Sequence, residues 1–198
     1  YISVTGVQTC ALPISATVPA QTKMERIKVP FLKQDIDVNS FENKAWQRAA
    51  KVSVTGYWSG AAAPAERAFD ARLLWSQDFL YVRFDARQHE PLVVSAQPDT
   101  TGKVRGLWDR DVCEIFIAPR RAAPNNYYEF EVAPSGEWID LGIEVTPKER
   151  LTNWDYASNM QAAARVLPER VEEIIKIPFA SLDGAPKAGD VWLGNLFP

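Results

Sequence analysis

Residues 107–119 read LWDRDVCEIFIAP, and the fold turns on how this stretch is parsed. From Asp111 onward, polar and β-forming residues alternate, so on a strand their side chains point to opposite faces. Val112, Glu114 and Phe116 then share one face, while Asp111, Cys113, Ile115 and Ile117 share the other. Trp108 has the parity of Glu114 but sits at the mouth of the strand, where a loop would present it. A flat indole beside a carboxylate on a rigid sheet suits a sugar ring. The ring's C–H face packs on the aromatic, and its hydroxyls donate to the acid. The same residues equally describe a core tryptophan with acids on a wet surface, and taken alone they leave both readings open.

The pattern continues on either side. Residues 51–56 alternate Val52 and Val54 with polar neighbours. Residues 67–75 and 79–87 are two runs joined by Ser76-Gln77-Asp78, a hairpin spacing. In the second run Leu80, Val82, Phe84 and Ala86 point to a core, with Tyr81, Arg83, Asp85 and Arg87 outward. That alternation predicts an antiparallel sheet with one wet face. Further strands are expected over 127–134, 137–145, 170–178 and 191–197, whereas 154–165 shows no clear pattern. Residues 40–50 predict a helical turn capped by Ser40, with Trp46 and Ala49 packed on the sheet. Residues 88–106 make a loop longer than about 12 residues, which is uncommon unless functional. It leads straight into Trp108 and is expected to wall a binding site. Eight to ten short strands with little helix predict a single-domain, all-β, antiparallel β-sandwich of jelly-roll type.

Composition narrows the function classes. A chain of 198 residues, 46% hydrophobic, can bury one full core. A net charge of −3 with no basic patch argues against nucleic acid. No apolar run reaches the roughly 18 residues that span a bilayer. His89 has no second His or Cys for a zinc site and reads as a surface residue. Residues 4–14, VTGVQTCALPI, resemble the in-frame translation of a short-read sequencing adapter. Residues 1–14 are therefore expected to be a non-native artefact, Cys10 included, which leaves Cys113 without a disulfide partner. Residues 15–26 read as a disordered lead-in and 27–198 as the domain. The native start with any export signal, and a segment following Pro198, are expected to be missing.

The order Trp108, Asp111, Glu114, Phe116 resembles the W-x-x-D-x-x-E-x-F signature of family 9 carbohydrate-binding modules and their family 9-like relatives. Around it stand Trp46-x-x-Ala49, the strand LYVRF (80–84), Tyr128-x-Phe130-x-Val132-x-Pro134-x-Gly136, Ile177-Pro178-Phe179 and Gly189-x-x-Trp192-x-x-Asn195. The resemblance covers about 31–195. It implies non-catalytic binding of a poly- or oligosaccharide, such as fragments of xylan or cellulose, by a monomer that needs no cofactor. It also implies export, in a system where a neighbouring glycoside hydrolase degrades the polysaccharide. In the family a sugar is sandwiched between two tryptophans. Trp108 matches the first and Glu114 the accompanying acid, whereas the second tryptophan would lie beyond Pro198. Glu131 stands where better-studied members carry an Arg, and Asn195 is a further polar candidate. Trp138 and Trp154 are spare aromatics that could line the site or pack elsewhere. A rival reading pairs Glu114 with Glu131 as the carboxylates of a glycoside hydrolase, which needs them about 5 to 9 Å apart. A third makes the domain a calcium-stabilised scaffold or interaction domain, a reading that a buried Trp108 would favour. Asp85, Glu90, Asp109 and Asp111 offer oxygen ligands to a structural calcium of the kind the family holds, with no ligand set assigned.

Overall fold

The computed structural model describes residues 2–4, 25–56 and 61–197. Twelve strands are seen among them: β1 Ile2–Val4, β2 Glu25–Ile27, β3 Ala50–Val54, β4 Phe69–Trp75, β5 Phe79–Arg87, β6 Cys113–Ala118, β7 Asn126–Val132, β8 Trp138–Val145, β9 Arg150–Asn153, β10 Gln161–Leu167, β11 Arg170–Pro178 and β12 Trp192–Phe197. Seven form one sheet in the order β2-β1-β12-β6-β7-β8-β9, and five form the other, β10-β11-β5-β4-β3. All neighbours are antiparallel except β1, which runs parallel to β12. The two sheets stack as the expected β-sandwich. The readings for residues 5–24, including Cys10 and most of the lead-in, lie outside the described residues.

Period-two alternation builds the core. Cys113, Ile115 and Ile117 on β6 meet Val82 and Phe84 on β5 and Ile175 on β11 between the sheets. Besides the short β1 and β2, two strands escape the sequence pattern, β9 and β10. Both are edge strands that face solvent along much of their length, so neither shows a clean alternation.

The second face of the five-stranded sheet is not wet. Tyr81, expected outside, is fully buried, because the segment 31–49 folds back across that face. Leu32, Ile36, Phe41 and Trp46 pack there against Leu74, Tyr81 and Ile174. Trp46 lies on a 3-10 turn, Lys44–Arg48, and is core, as its spacing predicts. The cap is Asn43 rather than Ser40: the Asn43 Oδ1 accepts from the Ala45 N–H at 2.9 Å. Ser40 instead offers its carbonyl to the Trp46 indole N–H at 3.0 Å.

Candidate functional site

The outer face of the seven-stranded sheet gathers the predicted site residues. Glu114 on β6 stands directly opposite Glu131 on β7, and Phe116 opposite Glu129. On the other side of β6, β12 sets Asn195 opposite Phe116 and Phe197 opposite Glu114. Paired residues share a face, so Glu114, Phe116, Glu129, Glu131, Asn195 and Phe197 all point away from the core. Phe116 links Phe197 (ring centroids 5.4 Å apart) to Tyr127 (5.9 Å), making an aromatic row across three strands. Asn195 is buried, and its Oδ1 accepts from the Leu196 N–H at 3.1 Å.

Trp108 reaches this face from a 3-10 turn, Leu107–Asp109, which follows Gly106 in the left-handed conformation (φ 77°). Leu107 is fully buried against Ala133, Ile139 and Leu141. Ile139 is the cross-strand neighbour of Glu131, and Leu141 that of Glu129. One turn thus inserts Leu107 beside the carboxyl groups and leaves Trp108 44% exposed. Trp154 packs against the same apolar cluster and meets Trp108 at 6.1 Å between ring centroids, with Arg105 4.8 Å above its own ring. Trp138, by contrast, packs on the inner core. The loop 88–106 is tied down by two acids that do not belong to this face, since Asp140 stands opposite core-facing Phe130 and Asp111 has the parity of Cys113. The Val93 N–H donates to the Asp111 carboxylate at 2.8 Å, and the Lys103 ammonium reaches Asp140 at 2.6 Å.

Three carboxyl groups crowd the centre. Oxygens of Glu114, Glu129 and Glu131 lie within 4.8 Å of one another. The Arg150 guanidinium holds Glu129 at 2.6 Å and takes the Tyr127 hydroxyl at 3.3 Å. Burial, with the Glu129 charge beside it, pushes Glu114 up to about 8. Burial and the two neighbouring acids push Glu131 up to about 10. Both are therefore protonated at neutral pH in the chain by itself, and a protonated Glu131 has a proton to share with Glu129. Sequence reasoning named Glu131 and missed Glu129 and Arg150. The alternation Tyr127, Glu129, Glu131 was a signal for the first. Nothing local announces Arg150, which arrives from β9.

This geometry speaks against the hydrolase pair. Glu131 is wholly buried and cannot touch a glycosidic bond, and neither Glu114 nor Glu131 is ionised at neutral pH to act as nucleophile or base. The sequence-named calcium oxygens do not come together among the described residues. Asp85 faces Arg170 at 3.7 Å, Glu90 pairs with Arg67, and Asp111 holds the loop.

The fold is similar to a family 9 carbohydrate-binding module from Caldicellulosiruptor kristjanssonii in complex with cellotriose. The TM-score is 0.55 at 14% identity, over 86% of this chain and 74% of that one. A structure of such a module from the same organism in complex with glucose aligns with a TM-score of 0.54 at 13% identity, over 84% and 74%. No curated protein matches by sequence. The sequence profile of the carbohydrate family 9 binding domain-like family matches residues 36–134, half of the chain. With its sandwich fold and that match, the chain belongs to the carbohydrate family 9 binding domain-like family, a family of non-catalytic carbohydrate-binding modules.

Proposed function

We propose that the outer face of the seven-stranded sheet binds an oligosaccharide, with Trp108 stacking on a pyranose ring. Glu114 exchanges hydrogen bonds with the ring hydroxyls, Asn195 adds a polar contact, and Glu131 shapes the floor between them. One observation carries this reading. An indole 44% exposed stands on a turn whose Leu107 is buried against Ile139 and Leu141, the cross-strand neighbours of Glu131 and Glu129. A scaffold domain would have no use for that exposure. Family 9 neighbours solved with cellotriose and glucose support a β-glucan or related plant polysaccharide fragment as the ligand class. Such a role fits an exported monomer working beside a glycoside hydrolase.

Calorimetric titration of cellotriose, xylobiose and glucose into the wild-type chain and Trp108→Ala tests this. Heat with the wild type that vanishes in the variant, with no new reducing ends formed, is the expected result. A stacking contact contributes about 1 kcal/mol or more, enough to push a weak sugar affinity out of range. No heat with any sugar from a folded wild type would overturn the reading.

A further inference from the structure

Among the three carboxyl groups of this face, one has only another acid to hold. Glu131 is 0% exposed, and apart from the Glu129 carboxyl group beside it no described residue bonds either of its carboxyl oxygens. A buried polar group left in this state is costly, and native folds seldom keep one without a use. Those oxygens point into the space shared with Glu114 and Glu129, all three within 4.8 Å. Arg150 offsets the charge of Glu129. The other two carboxylates then amount to two negative charges, the count a divalent cation neutralises. The donors are all oxygen, which selects a hard cation over zinc or copper. Calcium accepts oxygens at about 2.3–2.6 Å in a flexible geometry, whereas magnesium demands a near-ideal octahedron at about 2.0–2.1 Å and keeps several of its waters.

We propose that Glu114, Glu129 and Glu131 bind a calcium-class divalent cation on the sugar face, and that its open coordination positions take vicinal hydroxyls of the sugar. Calcium takes roughly six to eight oxygens, and three side chains that each bring one oxygen to the site leave positions open. Glu131 closes the site from below, while half-buried Glu114 opens it to the solvent side. The remaining ligands must come from that side, as water or as hydroxyls. The cation site rests on the geometry of the three acids alone. Its contact with hydroxyls rests on the sugar-binding reading above.

The test titrates calcium chloride calorimetrically into the chelator-treated full chain, at mildly alkaline pH, and into Glu131→Gln and Glu114→Gln. Magnesium chloride serves for comparison, and melting temperatures are read with and without calcium. Cellotriose is then titrated with calcium and with chelator. One calcium site in the wild type is expected, weakened roughly tenfold or more in each variant, since ligand charge sets affinity. Calcium should raise the melting temperature of the wild type alone, and chelator should abolish the cellotriose heat. A wild type that takes up no calcium, or variants that bind it as well as the wild type does, overturns the cation site, even if cellotriose still binds. Calcium bound at this site with cellotriose heat unaltered by chelator overturns the hydroxyl contact. Calcium bound at this site with no cellotriose heat under any condition leaves the cation standing and removes the sugar-binding reading instead.

Discussion

Two adjacent glutamates on β11 show how much a single side chain's surroundings decide. Glu172 and Glu173 point to opposite faces, and both are buried. Glu172 collects the guanidiniums of Arg83 at 2.9 Å, Arg165 at 2.5 Å and Arg170 at 2.8 Å. Removing it would take the carboxylate from the largely buried Arg83, while Arg165 keeps Glu42 and Arg170 keeps Asp85, so Glu172→Ala should cost about 3–5 kcal/mol in denaturant melts. Glu173 faces the core beside Cys113, and burial, with the Asp111 charge adding to it, pushes its carboxyl up to about 8. The folded chain thus keeps a proton that the unfolded chain gives up near 4.5. Stability is whole below that value, falls as pH rises from there to about 8, and then levels. Glu173→Gln should flatten this part of the profile, by on the order of 5 kcal/mol at about 1.36 kcal/mol per unit. Unfolding curves of both proteins across that range, subtracted, read the contribution of this one group. Equal slopes would show that Glu173 ionises freely. Trp108 is the opposite kind of residue. Its exposure means that Trp108→Ala should leave the melting point almost unchanged, within about 0.5 kcal/mol, while removing sugar binding.

The 3-10 turn Leu107–Asp109 is the element that converts core packing into site geometry. Its anchor, Leu107, is fully enclosed by residues of β8 and the end of β7. Leu107→Ala should cost about 2–5 kcal/mol and should also weaken sugar binding, because the turn that aims Trp108 loses its seat. The pairing of the two losses is the informative result. A stability loss with unchanged sugar affinity would mean that the turn is held from elsewhere. Gly106 supplies the left-handed residue that starts the turn. A methyl there would meet nothing closer than the Asp109 carboxylate at 3.6 Å, so the barrier to Gly106→Ala is backbone strain rather than space.

At the scale of the molecule, three layers separate stability from binding. The segment 31–49 covers the outer face of the five-stranded sheet, and the candidate site occupies the outer face of the other. Trp46 is the largest side chain in the cover, packed near Arg83 and bonded to the Ser40 carbonyl. Trp46→Ala should cost about 3–5 kcal/mol. Its sugar affinity, measured well below the melting temperature, should match the wild type, since the two faces share no side chain. A large drop in affinity would mean that the two sheets respond as one unit.

How far the chain could be read without its fold follows from the range of each interaction. Alternation is local and strict. It placed Glu114 and Phe116 opposite Cys113, Ile115 and Ile117, predicted the hairpin of β4 and β5, and so led to the sandwich. A wet face and a covered face look the same in that alternation, however. Tyr81 is buried by residues more than thirty positions earlier, and no short-range pattern carries that information. The candidate site divides in the same way. Trp108 and Glu114 lie within one motif and could be found by spacing. Arg150 at Glu129, and Trp154 at Trp108, are meetings that require β8 and β9 to be laid beside β7 in one register. The acidity of Glu114 and Glu131 belongs there too, because it comes from burial and from each other, and a carboxyl group has neither until the strands have paired.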